Sequence, residues 1–158
     1  MSGFARGVRL GVDVGSVRVG VAVCDPDGIL ASPLVTVPRD QRHLPDHNAG
    51  KDDLPSDIRE LARLAEDHGA VEVVVGLPVS LSGNDGPAAA AARAYAARLA
   101  AAIDPVPVRL ADERMSTVVA SRRLADRGVR GKRQRAVVDQ AAAAEILQSW
   151  LDGQRRNP

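Results

Sequence analysis

Residues 10–20, LGVDVGSVRVG, place one acid, Asp13, near the end of an apolar strand that is followed by a Gly-Ser turn and a second strand. In the first strand Leu10 and Val12 alternate with Gly11 and Asp13, so a β-strand sets the acid on the face opposite the main apolar row. The glycines two residues before and after the acid leave its carboxylate uncrowded and allow another segment to approach the backbone. The stretch predicts a β-hairpin with an acid that its small neighbours leave uncrowded near the turn.

An acid that only ends a strand before a turn is the alternative interpretation, because Asp and Gly favour turns in any protein. Taken alone, Asp13 fits both interpretations. A functional role is favoured if the rest of the chain brings further carboxylates to the same edge.

The composition predicts a single domain over residues 1–158. Hydrophobic residues make up 45% of the chain and aromatic residues only 2%, so the core must consist of Val, Leu, Ile and Ala. A chain of this length buries most of the apolar surface that its unfolded form exposes. The net charge of +1 neither requires nor excludes a polyanionic partner.

The one cysteine, Cys24, cannot form an internal disulfide, which is typical of a reducing compartment. The N-terminus has no signal-type apolar stretch, and the Ala-rich residues 87–103 are interrupted by Arg93 and Arg98. We therefore expect a soluble, cytoplasmic protein with no membrane partner.

Hydrophobic periodicity and turn residues predict five strands and four helices. Ser56 with Asp57 is expected to start the first helix, Gly69 to end it, and Gly153 to end the last helix. The first strand ends at the hairpin, and the other predicted strands are residues 18–24, 28–37, 71–75 and 106–111. The predicted helices are residues 56–68, 87–103, 115–127 and 136–151.

The resulting order, βββαβαβαα, is a three-stranded meander followed by two right-handed αβ crossovers. It predicts an α/β protein with a five-stranded mixed sheet and helices on its faces. This order is that of the ribonuclease-H-like fold. The polar loop at residues 38–55 carries His43 and His47 at a four-residue spacing, but Pro45 between them disfavours a helical metal site.

Two further acids fall where they can reach Asp13. Glu113 directly follows the fifth strand, and functional groups gather at the carboxyl ends of parallel strands. Asp139 precedes the apolar stripe of the last helix at helical spacing, so its side chain is expected to point inward. Dipole-favoured acids in the first turn of a helix are the alternative for both positions.

Three carboxylates about 5 Å apart would repel one another by about 3 kcal/mol per pair at an effective dielectric of about 20. Either one is protonated or cations bind. Oxygen-only ligands suit Mg²⁺ or Mn²⁺, and two such ions can activate water and stabilise the leaving oxygen of a phosphodiester. The three acids therefore predict a phosphodiester hydrolase.

A run of cations precedes Asp139 and could guide a polyanion to the predicted metals. A charge run near a helix end is more often only a solvated surface, and that alternative stays open. The run consists of Arg122, Arg123, Arg127, Arg130, Lys132, Arg133 and Arg135.

Four motifs identify a family resemblance that covers nearly the whole chain. They are GVDVGSVRVGVA at residues 11–22, VVVGLP at 73–78, DERMST at 112–117 and VVDQAAAAEILQSWL at 137–151. In these motifs and their order the chain resembles the YqgF/RuvX family, whose members are described as pre-16S rRNA nucleases and as Holliday-junction-resolvase-like proteins.

The resemblance implies a ribonuclease-H-like fold and a nuclease that processes the 5′ end of precursor 16S rRNA, with resolution of branched DNA as the alternative. It implies a pre-ribosomal particle as partner and a monomer or homodimer. The resemblance implies that Asp13, Glu113 and Asp139 are catalytic and that they bind Mg²⁺ or Mn²⁺. The resemblance also implies substrate contacts for Arg18, Arg114 and Lys132, and the cation run adds Arg130 and Arg133 as predicted substrate-binding residues. The sequence departs from the family pattern after Pro78, where Ser80 and Ser82 replace the usual Asn and Asp.

Two other functions stay open. Phosphotransferases and ATPases of the actin and sugar-kinase type also carry an Asp-x-Gly-Ser/Thr hairpin, but they bind nucleotide between two such domains, and 158 residues supply one. A noncatalytic RNA- or DNA-binding module would keep the fold and the basic run. The retained set of three acids disfavours it.

Overall fold

The strands form one five-stranded sheet in the order β3-β2-β1-β4-β5. A computed structural model of the chain describes residues 5–41, 54–78, 86–113 and 132–156. The strands are β1 (Arg9–Val14), β2 (Arg18–Cys24), β3 (Ala31–Pro38), β4 (Glu72–Leu77) and β5 (Val108–Asp112). The helices are α1 (Ser56–Asp67), α2 (Pro87–Ile103) and α3 (Lys132–Arg156).

The sheet is mixed, as predicted. The pairs β1–β2 and β2–β3 are antiparallel, whereas β1–β4 and β4–β5 are parallel. The predicted α/β class and the predicted order of elements are confirmed through β5 and for the last helix. The helix predicted at residues 115–127 lies outside the described residues. The prediction of a single domain stays a prediction.

The hairpin between β1 and β2 forms where the sequence predicted it. The amide of Gly15 donates to the carbonyl of Arg18 across 2.9 Å. A Cβ at Gly15 would stand 2.7 Å from that carbonyl oxygen, so the close approach of the two strands requires glycine there. The hairpin sets Asp13 directly opposite Gly20 in the antiparallel register.

The two faces of the sheet bury different helices, and alternation along β1 assigns its residues to them. Leu10 and Val12 belong to a core that includes apolar residues of α1 and α2. On the other face, Val74 joins a smaller core formed with α3. Asp13 alternates with Val12 and therefore lies on the α3 face, opposite the valine row, as the sequence predicted.

Helix α3 lies unusually close to β2. A Cβ at Gly20 would stand 2.1 Å from the carbonyl oxygen of Asp139, and one at Gly11 would stand 2.7 Å from Cβ of Leu147. A Cβ at Gly11 would also stand 2.9 Å from the carbonyl oxygen of Ala143. Contacts of a Cβ below 3.0 Å essentially do not occur in folded proteins, so both positions need a residue without a side chain. The glycines therefore set the distance between α3 and the sheet.

Several predicted boundaries were wrong. Strand β3 begins at Ala31 rather than at Gly28, because the Asp25 carboxylate accepts hydrogen bonds from the amides of Ile29 and Leu30 at 3.0 and 2.7 Å and holds them in the turn. The two parallel strands also extend further than predicted, β4 through Leu77 and β5 through Asp112, while both begin one or two residues later.

Helix α1 begins at Ser56, as predicted, although its N-cap is Pro55, which provides no side-chain cap. The predicted bounds of the last helix were wrong at both ends. Helix α3 begins at Lys132 rather than at residue 136, so the last residues of the cation run are helical. It also continues through Gly153, where the i, i+3 ion pair of Asp152 with Arg155 supports the last turns. A single glycine costs a helix only about 1 kcal/mol, which such contacts can offset.

Within the described part of the chain, no helix combines the length and apolar character needed to cross a membrane.

Candidate functional site

Asp13 lies near the end of the central strand β1, on the α3 face, with a glycine on each neighbouring strand. Gly20 on β2 is its direct antiparallel partner. On the other side Val12 pairs with Val75, so Gly76 is the residue of β4 that lies next to Asp13. Asp13 is only 4% exposed. A buried carboxylate between two glycines has free space on both sides, and other groups fill that space.

Glu113 fills the space above Gly76. It directly follows β5 and is only 6% exposed. Its Oε1 stands 2.9 Å from where a Cβ of Gly76 would be, so the side chain folds back over β4 toward Asp13. Burial raises the pKa of the Glu113 carboxyl above its usual range, and the negative charge of Asp112 raises it further.

Asp139 fills the space above Gly20 from the other side, but with its backbone. The carbonyl oxygen of Asp139 lies over Gly20, the residue opposite Asp13. Its carboxylate turns to the hairpin, where Oδ2 lies 2.8 Å from Nε of Arg18. The two side chains are 20% and 25% exposed, so this ion pair lies at the rim of the buried site.

Glu113 and Asp139 thus lie near Asp13 on the same face of the sheet. Carboxylates are the ligands that Mg²⁺ and Mn²⁺ prefer. The chemistry of this donor set fits such ions. In the described ranges, no group of three or more His, Cys, Asp or Glu side chains is placed to hold a metal ion. To bind a metal ion, the carboxylate of Asp139 would have to give up its ion pair with Arg18. The catalytic and metal-binding roles of these acids stay predictions.

The predicted substrate-binding residues are only partly described. Arg18 lies at the start of β2, beside the acids. Lys132 and Arg133 are the first two residues of α3, seven and six residues before Asp139. Arg114 and Arg130 lie outside the described residues, as do His43 and His47 of the polar loop and Ser80 and Ser82 after β4. The substrate-binding roles of Arg18, Arg114, Arg130, Lys132 and Arg133 stay predictions.

A cavity of about 250 Å³ adjoins the site at the edge of the sheet, between β5 and the second half of α3. Glu113 and Asp112 line its inner end, and Trp150 lines its helix side. Trp150 packs against the α3 core.

Sequence reasoning missed a buried polar cluster formed by Arg39, Asp57 and Tyr95. The hydroxyl of Tyr95 donates to Oδ2 of Asp57 across 2.7 Å, and Arg39 contacts both residues. The sequence interpretation of Asp57 as part of a helix start overlooked its spacing. Asp57, Leu61 and Leu64 recur at four and three residues, which places the acid on the buried stripe of α1.

Comparison with known proteins relates the chain to one family. The family model described as "RuvX: Holliday junction resolvase" matches residues 7–153. A protein of Rhodococcus jostii (strain RHA1) named "Putative pre-16S rRNA nuclease" is 53% identical over 152 residues, which are 96% of this chain and 81% of that protein. A protein of the same name from Streptomyces avermitilis is 53% identical over 153 residues, covering 97% and 90% of the two chains.

A solved structure described as "T. thermophilus RuvC in complex with Holliday junction substrate" matches with a TM-score of 0.57. The match covers 94% of this chain and 96% of that one at 17% sequence identity. A likeness at this identity concerns the fold, and it agrees with the predicted ribonuclease-H-like architecture.

Proposed function

Because this chain belongs to the RuvX family, as its motifs predicted, we propose that it is a metal-dependent nuclease that processes the 5′ end of precursor 16S rRNA. The names of relatives that are about half identical over almost the whole chain support this substrate. The observation that carries the chemistry is the surroundings of Asp13, where one flanking glycine makes room for the carboxylate of Glu113 and the other for the backbone of Asp139.

In this proposal Asp13, Glu113 and Asp139 hold Mg²⁺ or Mn²⁺. The bound ions would activate water and stabilise the leaving oxygen of the phosphodiester. Burial of Asp13 and Glu113 excludes bulk water from two of the three acids, which strengthens their attraction for cations. Burial is also the main cause of the raised pKa of Glu113. A buried carboxylate has lost its hydration, so its charge is unfavourable unless a cation binds beside it.

The basic residues act on the substrate. Arg18 lies beside the acids and can pair with a phosphate through its planar guanidinium when it releases Asp139. The cations before Asp139, together with Arg114, would follow the backbone of the nucleic acid into the site. Aromatic residues are only 2% of the chain, so recognition of unstacked bases by aromatic stacking contributes little and backbone shape contributes more.

Cleavage assays test the chemistry. Structured RNA carrying the 5′ precursor sequence should be cut with Mg²⁺ or Mn²⁺ and left intact with chelator. Cleavage that persists in chelator would overturn the metal-dependent mechanism. In cells, depletion of the protein should lengthen the 5′ ends of 16S rRNA, and normal ends after depletion would remove this substrate.

Resolution of branched DNA is the second candidate, because the matching family model is described as a Holliday junction resolvase. A resolvase cuts two strands symmetrically and therefore works as a stable dimer, whereas a trimming nuclease can work as a monomer. Paired symmetric nicks on a four-way junction, by a protein that sediments as a dimer, would favour this candidate.

A role in 16S rRNA processing would place the protein in the cytoplasm with a pre-ribosomal particle as its partner. The single buried cysteine is compatible with a reducing compartment. Co-sedimentation of the protein with precursor small subunits tests this partner.

A further inference from the structure

The turn between β1 and β2 is held from outside by a residue that follows β3. The backbone amide of Arg39 donates to the carbonyl of Val17 across 2.8 Å. The side chain of the same residue donates from Nη1 to the carbonyl of Gly15 across 3.2 Å. One arginine therefore contacts both ends of the three-residue turn that separates Asp13 and Val14 from Arg18.

The guanidinium of Arg39 is itself held by two buried side chains. Its Cζ lies 5.1 Å from the centroid of the Tyr95 ring, a distance typical of a cation–π contact. Its Nε lies 3.8 Å from Oδ2 of Asp57, which is only 2% exposed. One residue of α1 and one of α2 thus hold the guanidinium in addition to its hydrogen bond with the hairpin.

Asp57 is held in turn by further hydrogen bonds. Tyr95 donates its hydroxyl to Oδ2 across 2.7 Å, and the amide of Asp40 donates to Oδ1 across 3.1 Å. Burial, followed by the hydrogen bond to Asp57, raises the pKa of Tyr95 so that its hydroxyl keeps its proton. The cluster therefore links the core on the α1 and α2 face to the carbonyl of Gly15. Its members are joined by the Tyr95–Asp57 hydrogen bond, the Asp57–Arg39 ion pair and the Arg39–Gly15 hydrogen bond.

We propose that Arg39 is a positioning residue for the site around Asp13. Through its two contacts with the turn it sets where β1 ends and β2 begins, and hence the placement of Asp13 and Arg18 on opposite sides of the hairpin. Asp57 and Tyr95 serve by fixing the guanidinium. The catalytic consequence rests on the proposed nuclease function, whereas the effect on the turn does not.

Arg39→Ala and Tyr95→Phe test the proposal. The first removes the side-chain contact with Gly15, and the second keeps the aromatic ring but removes the hydrogen bond to Asp57. Arg63→Ala is the matched control, because Arg63 forms ion pairs with Glu60 and Asp67 on the exposed side of α1. Arg39→Lys keeps the charge without the planar fork and provides an intermediate case.

The exchange rates of backbone amides measure the stability of the turn without any activity assay. In Arg39→Ala the amides of Gly15 and Arg39 should exchange at least about tenfold faster, while the core amides of β4 should be unchanged. Tyr95→Phe should also raise the exchange rates of these two amides, by a smaller factor. Unchanged exchange in Arg39→Ala would show that the turn holds itself and would overturn the proposal.

Kinetics separate positioning from substrate binding. A positioning role predicts that kcat falls about 10- to 100-fold in Arg39→Ala with an unchanged KM, and that Arg39→Lys restores part of it. The slope of nucleic-acid affinity against salt should stay the same. A slope reduced by about 1, with kcat intact, would make Arg39 a phosphate contact instead. If the wild-type protein cuts no nucleic acid, the proposed function fails, and hydrogen exchange still decides the role of Arg39.

Discussion

Nε of Arg18 lies 2.8 Å from Oδ2 of Asp139, and this ion pair joins the start of β2 to the first half of α3. It places the third predicted acid beside the hairpin that carries Asp13, across 121 residues of sequence. In the proposed nuclease the same carboxylate also serves as a metal ligand. Arg18 and a metal ion then compete for Asp139.

Arg18→Gln should therefore increase the affinity for Mn²⁺ in the absence of nucleic acid, because it frees Asp139 and removes a positive charge from the site. The free energy of unfolding should fall by about 1 kcal/mol or less, since the ion pair is partly exposed. Titration with Mn²⁺ followed by electron paramagnetic resonance measures the affinity.

Arg155→Gln is the control for this substitution, because it breaks an ion pair with Asp152 at the other end of α3. It should leave the Mn²⁺ affinity unchanged. A weaker Mn²⁺ affinity in Arg18→Gln would contradict competition for Asp139.

Asp13→Asn should abolish metal-dependent cleavage while leaving the fold intact. The amide keeps the shape of a side chain that is almost fully buried, but it removes the charge that the metal requires. Because even loss of a group that orients a metal ligand costs about 10- to 100-fold, we expect a loss of at least about 100-fold. Cleavage rates with Mg²⁺ and circular dichroism of the purified variant measure the two effects.

Asp67→Asn, at an exposed ion pair of α1, provides the matched control and should cleave at the wild-type rate. Wild-type cleavage by Asp13→Asn would remove Asp13 from the catalytic site.

Glu113→Gln should make the metal-free protein more stable at neutral pH. The pKa of Glu113 is raised in the folded state, so between the unfolded and the folded pKa the native protein binds more protons than the unfolded one. Stability attributable to this group is therefore lost as the pH rises through that interval. The amide should remove this dependence, stabilising the protein at pH 7 more than at pH 4.

Thermal unfolding in chelator at several pH values measures this difference. Equal stabilisation at pH 4 and pH 7 would show that the Glu113 carboxyl titrates alike in the folded and unfolded protein.

Gly20→Ala should destabilise the fold by about 1–3 kcal/mol or more, because its Cβ would lie 2.1 Å from the carbonyl oxygen of Asp139 and force α3 away from β2. Gly153→Ala is the opposite case. No atom lies within 4 Å of a Cβ at Gly153, and alanine should stabilise helix α3 by about 0.5–1 kcal/mol. Urea unfolding of both variants measures the contrast, and a neutral Gly20→Ala would contradict the close packing of α3.

Replacing Arg130, Lys132 and Arg133 together by Ala should weaken binding to structured RNA and flatten its dependence on salt. Each lost phosphate contact lowers the slope by about 1. The matched control replaces three exposed arginines of α1 and α2, on the other side of the sheet, namely Arg59, Arg63 and Arg93. Equal effects of the two triple variants would show that the basic run is only a solvated surface.

Sequence periodicity was sufficient for the order of the elements that the structure describes and for the face on which Asp13 lies. Strand alternation is a local property with a period of two, so neighbouring valines reveal which side an acid takes. The helical stripe that follows Asp139 likewise indicated that this part of α3 lies on the sheet. The predicted bounds of several strands and helices were wrong. Contacts such as those of the Asp25 carboxylate with the amides after it decide where a strand begins.

The sequence by itself determined the architecture and the residue types of the candidate site, because the patterns of apolar residues, glycines and acids that indicate them are local properties of the chain. Only the tertiary structure decided how those residues meet. The carboxylate of Glu113 folds over Gly76, Asp139 pairs with Arg18, and a cluster of buried polar side chains holds the turn beside Asp13. These contacts join residues far apart in sequence, and which of them form depends on the packing of helices on the sheet, which no local pattern encodes.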